Sequence, residues 1–63
     1  MFNEIGRLVY FSGNLGLYKK MGIIFSSSEE FIEIYWINEE QKIKMGRFYV
    51  NALFEEGLMS YVY

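Results

Sequence analysis

FIEIYWI, residues 31–37, decides how the rest of the chain is read. Six of its seven residues are apolar, and the seventh is Glu33. A helix is the first reading to test. Ser26 with Glu29, and Ser27 with Glu30, each form an S-x-x-E capping signature that would open a helix over about 28–44. Its apolar positions would be 31, 32, 34, 35, 36, 37 and 43. These wrap around the cylinder instead of forming a stripe. The stretch is also rich in β-branched and aromatic residues, which suit a pleated surface. Read as a strand, Ile32, Ile34 and Trp36 share one fully apolar face. Phe31, Glu33, Tyr35 and Ile37 share a mixed one. The strand is the better reading.

The same logic extends in both directions. Gly6, Gly13, Gly16, Gly22, Gly46 and Gly57 cut the chain into short apolar pieces, and there is no proline. GRLVYF at 6–11 reads as a strand, followed by a glycine-containing connection over 12–20. MGIIFS at 21–26 reads as a second strand, with Met21, Ile23 and Phe25 on one face. Ser26–Ser28 forms a turn, residues 30–37 the third strand, and Asn38–Glu40 a tight turn. QKIKMGR at 41–47 reads as a fourth strand, with Ile43 and Met45 inward and Lys42 and Lys44 outward. Short turns on either side of the third strand predict an antiparallel meander. NALFEE at 51–56 reads as one helical turn, capped by Asn51 and stopped by Gly57. GLMSYVY reads as a last strand. The expected fold is all-β: one small domain over 1–63, a five- to six-stranded antiparallel barrel or rolled sheet. Its expected core is Val9, Ile23, Phe25, Ile32, Ile34, Trp36, Ile43, Val50 and Leu53.

The bulk properties limit what such a fold can do. A chain of 63 residues makes one domain at most, and buries only about 60% of the surface its unfolded form exposes. There is no cysteine and no histidine, so disulfides and ordinary structural zinc sites are ruled out as staples. Six Phe, six Tyr and one Trp are more aromatic residues than so small a core can hide. Surplus aromatic surface points to association. Six basic groups stand against eight glutamates, a net charge of −2, which has the wrong sign for strong phosphate binding. No apolar run approaches the roughly 18 residues of a membrane span. The N-terminus, MFNEIGRL, lacks the basic and apolar regions of a signal peptide. A cytoplasmic setting follows.

Most catalytic constellations fail on residue supply. Without His or Cys there is no Ser–His or Cys–His dyad and no common transition-metal site. Without Asp, phosphoryl-transfer and magnesium sites lose their usual ligand. The pairs Glu29–Glu30, Glu39–Glu40 and Glu55–Glu56 read as solvated turn charges. G-N-L-G at 13–16 is not followed by G-K-[ST], so it is a turn and not a phosphate loop. The chain is therefore read as a non-enzyme without cofactor or metal.

The order of the elements resembles a known family. I-G-R-L-V-Y-F at 5–11 precedes a glycine-containing loop, and M-G-I-I-F follows at 21–25. Then come I-E-I-Y-W at 32–36, a turn after the tryptophan, and F-Y-V-N-A-L-F at 48–54. Residues 5–54 thereby resemble small Src-homology-3-like barrels encoded by tailed bacteriophages. Those often show an I-G-x-L-V start, a G-I-V strand, a V-x-W strand with an N-D-G-type turn, and a closing N-x-L. Two departures stand out: the turn after Trp36 has no glycine, and residues 55–63 extend past the pattern. The resemblance implies a phage protein acting in the cytoplasm of the infected host, or incorporated in the virion. It carries over no catalytic residue.

Three functions remain in contention. The first is a structural or accessory virion component that buries an aromatic face against protein and forms a homo-oligomer. The second is an inhibitor of a host or anti-phage defence protein, and the third a nucleic-acid-binding barrel. For the last, Lys19 and Lys20 beside Tyr18, or Lys42, Lys44 and Arg47 beside Phe48 and Tyr49, would make a basic aromatic strip. The charge balance disfavours it unless one face is sharply polarised. Tyr10, Tyr18, Tyr35, Tyr49, Tyr61 and Tyr63 cannot all be interior, and tyrosine favours interfaces. LMSYVY is apolar on both faces, so it either closes its own sheet or pairs with a neighbour. The expected protein contacts are Tyr35, Tyr49, Met59, Tyr61 and Tyr63.

Overall fold

The computed structural model describes residues 4–13 and 19–62, so Tyr18 and the contact candidate Tyr63 lie outside the described residues. Its elements are β1 (Leu8–Ser12), β2 (Lys19–Ser27), β3 (Phe31–Trp36), β4 (Gln41–Gly46), α1 (Arg47–Glu55) and β5 (Met59–Tyr61). The strands form one antiparallel sheet in the order β4-β3-β2-β1-β5. The last strand returns to pair with the first, opposing Met59 to Phe11 and Tyr61 to Val9. Among the described residues β4 and β5 have no second strand partner, so the sheet is open and not closed into a barrel.

β3 supplies the centre of the core. Ile32, Ile34 and Trp36 are buried, and burying such a side chain contributes about 1.5–3 kcal/mol. Val9, Ile24, Val50, Leu53 and Met59 complete the buried cluster, and Ile43, half-buried, packs against it.

β2 departs from the reading given above. Its inward residues are Gly22 and Ile24, while Ile23 is half-buried and Phe25 is exposed. The cause is Trp36, which stands opposite Gly22. A Cβ on Gly22 would come within 2.5 Å of Ile34 Cγ2 and 2.8 Å of Trp36 Cε3. Only glycine lets the large indole lie this close to the neighbouring backbone. After Ile24 a bulge shifts the register, so that Ser26 opposes Glu33 and Ser27 opposes Ile32. Ile23 and Phe25 therefore belong to the outer face.

The helix is longer than the single turn expected. It starts at Arg47 and not at Asn51, with Gly46 in extended conformation as its N-cap. Val50, Leu53 and Phe54 fall at i, i+3 and i+4 and form the stripe that faces the sheet. At the other end Gly57, at φ +78°, takes the left-handed position that favours glycine. Its N–H donates to Phe54 O, and the Leu58 N–H donates to Leu53 O at 2.9 Å, closing a Schellman motif. That stop turns the chain back into β5. No helix among the described residues is long and apolar enough to cross a membrane.

Candidate protein-contact surfaces

The predicted contact residues do not gather on one face. Tyr35 stands on the outer sheet face, half-buried between its register partners Ile23 and Lys42. Tyr49 is 59% exposed on the first turn of α1. Met59 is 1% exposed: β5 pairs with β1 at the edge of the sheet and turns this side chain into the core cluster, so it reaches a partner only through the floor of a groove. Tyr61 is half-buried, with its ring 5.0 Å from that of Phe54 and the Arg7 guanidinium carbon 3.6 Å from its centroid. The sequence offered no means of separating these roles, since both faces of LMSYVY are apolar.

One groove opens between the sheet and α1. Phe11, Trp36, Ile43, Met45, Tyr49, Leu53 and Met59 line it, around a volume of about 240 Å³. At its rim Lys20 Nζ lies 3.4 Å from Glu39 Oε1 and 4.3 Å from the Trp36 ring centroid. An ammonium held over an indole face gains about 0.5–2 kcal/mol. Nothing in the sequence signalled that Phe11, Lys20 and Glu39 would meet here, because β1, β2 and the turn between β3 and β4 bring them together. Next to Tyr49, Phe48 is 92% exposed, the most exposed large apolar side chain among the described residues.

The outer sheet face is different. It presents Leu8, Tyr10, Met21, Ile23, Phe25 and Tyr35, bordered on β4 by Lys42 and Lys44. Lys42 Nζ is 5.5 Å from the Phe25 ring centroid and Lys44 Nζ is 4.7 Å from that of Phe31. Neither lysine forms an ion pair among the described residues.

Arg47 does not join a basic aromatic strip with these lysines. It is held by Glu4, at 2.6 Å from Nη1 to Oε1. It also donates from Nε and Nη2 to the Ser28 carbonyl, and from Nη2 to the Ser27 hydroxyl. Ser27 in turn donates to Glu4 Oε2 at 2.8 Å. The hydrogen bond from Arg47 holds the Glu4 carboxyl below the ordinary carboxylate range. The Ser27 bond and the Arg47 charge act in the same direction, and partial burial opposes them. This cluster ties the chain before β1 to the start of α1. Its groups are satisfied by one another, so it is a clamp and not a binding site.

No known protein family, curated protein or solved structure matches the chain.

Proposed function

We propose that this chain is a non-enzymatic protein-interaction module, a structural or accessory component of a tailed-phage particle that takes side chains of a partner protein into the groove beside α1. The groove is the observation that carries this reading. At about 240 Å³ it falls below the roughly 300–1,000 Å³ typical of small-molecule and cofactor sites. It is sized for one or two anchoring side chains, and its lining of Trp, Phe, Tyr, Ile, Leu and Met suits such an anchor. Tyr49, 59% exposed, forms part of its lining, and Phe48, next to it in the chain, is 92% exposed.

The phage setting rests on the sequence resemblance over residues 5–54. The Src-homology-3-like reading is part of the same proposal. A four-strand meander whose fifth strand returns to the first, after a short helix, supports it.

The test is quantitative mass spectrometry of purified particles. A virion component is present at fixed stoichiometry, and Phe48→Ser with Tyr49→Ser lowers its incorporation. Absence from particles, together with tight binding to one host protein and a growth defect on expression alone, would identify an inhibitor instead. Analytical ultracentrifugation of the purified chain tests the proposed homo-oligomer.

A further inference from the structure

The free edge of β4 combines three features found nowhere else among the described residues. The first is open backbone. The Arg47 N–H donates to the Glu30 carbonyl at 2.9 Å, and the register then opposes Met45 to Ile32 and Ile43 to Ile34. In an antiparallel ladder such bonded pairs alternate, so residues 41, 43 and 45 spend their backbone groups on β3. Those of Lys42 and Lys44 aim out of the sheet, as does the Gly46 N–H, while the Gly46 carbonyl, at the N-cap of α1, belongs to the helix. Gly46 adds no obstruction, since a Cβ there would meet nothing within 4 Å.

The second feature is charge. Lys42 and Lys44 occupy alternate positions on the outer side of this edge, both exposed and neither ion-paired among the described residues, with Glu33 opposite Lys44 in the register. The third is the groove. Ile43 and Met45, on the inner side of the same edge, form part of its wall. An extended segment laid along β4 would thus meet ammonium groups on one face and an apolar groove on the other, with period two.

From this juxtaposition we infer that the β4 edge takes an extended segment of a partner protein, with acidic and apolar residues in alternation, as a sixth strand. Main-chain bonds to Lys42, Lys44 and Gly46 supply affinity, and the alternation supplies selection. A second copy of the chain is a poor occupant, because two β4 edges would bring four lysines together, the arrangement that protects natural edges from self-pairing. Single-stranded nucleic acid is also a poor one. Two lysines neutralise few phosphates, and the open N–H and C=O groups would stay unused. The inference rests on the proposal that the chain is a protein-interaction module, and adds where the partner binds and what chemistry it has.

The test titrates the ¹⁵N-labelled full chain with three probes: a blocked glutamate–valine alternating peptide, its lysine–valine counterpart, and oligothymidylate. The glutamate–valine peptide is expected to shift the Lys42, Lys44 and Gly46 amides and slow their hydrogen exchange. Lys42→Glu with Lys44→Glu should weaken that peptide by about tenfold or more and reverse the preference. Gly46→Pro removes an outward N–H at a position whose φ of −65° suits proline, so it should weaken docking while leaving both lysines in place. Unmoved β4 amides would overturn the inference. So would equal response to both peptides, protection by oligothymidylate instead, or dimerisation through β4. If the β4 response fails while the chain is still found in particles at fixed stoichiometry, only the edge assignment falls. An intact β4 response without particle incorporation removes the virion assignment alone.

Discussion

β3 and β2 lie side by side, and both contain apolar runs, yet only β3 announces its buried face. In β3 the mixed face carries Glu33, so the apolar face must be the other one, and Ile32, Ile34 and Trp36 are indeed inside. In β2 the apolar residues fall on both faces. Counting them selects Met21, Ile23 and Phe25, whereas the protein buries Gly22 and Ile24. A glycine adds nothing to a hydrophobic count, but here it is the position that makes room for the indole opposite. Alternation identifies a face only when the two faces differ.

That contrast can be broken by mutation. The largest effect is expected for Trp36→Ala, at about 3–5 kcal/mol. This is comparable with the whole stability of a domain this small, so circular dichroism should find the variant unfolded at 25 °C. Adjacent residues of β2 then divide sharply. Ile24→Ala should cost about 2–5 kcal/mol in urea unfolding, and Phe25→Ala less than about 1 kcal/mol. Equal losses would mean that β2 does not present its faces as described. Gly22→Ala should cost about 1–3 kcal/mol by overpacking against Ile34 and Trp36, although alanine suits a strand no worse than glycine does.

A smaller effect separates the clamp from the core. Glu4 has a folded-state pKa below its unfolded value, so its contribution is present above the unfolded pKa. It is lost as pH falls through the folded one. The urea midpoint of the wild-type chain should therefore drop more between pH 6 and pH 3 than that of Arg47→Gln. Parallel curves would show that the clamp adds no stability of its own. The smallest effect concerns the turn after Trp36. Glu40 holds φ at +51°, the left-handed conformation that the phage pattern would give to glycine. Glu40→Gly should leave the melting temperature unchanged or raise it, by up to about 1 kcal/mol of stability.

The candidate surfaces were only partly legible. Lys42 and Lys44 outward against Ile43 and Met45 inward can be read from QKIKM by period two alone, and they flank the edge on which the further inference rests. The groove cannot be read this way. Phe11, Lys20, Trp36, Glu39, Tyr49 and Met59 are scattered over most of the chain, and no local pattern joins them. Met59 and Tyr61 are neighbours on one face of β5, opposing Phe11 and Val9. Only the packing of α1 makes one of them core and leaves the other half-exposed beneath Arg7.

By itself, then, the sequence determined the class of the fold, the antiparallel meander, the inner face of β3, and the lack of histidine and cysteine chemistry. These depend on composition and on the period of side chains along one strand, which are local properties. The tertiary structure alone decided the face of β2, the start of α1 at Arg47, the seat of β5 beside β1, and the open edge at β4. A nine-residue helix beginning R-F-Y-V is marginal in isolation, and is held by Val50 and Leu53 against the sheet. Arg47 finds its carboxylate 43 residues away in Glu4. Such features arise where distant segments share one small core, and the pairing that wins is the one that leaves no buried polar side-chain atom unsatisfied among the described residues and the indole close-packed.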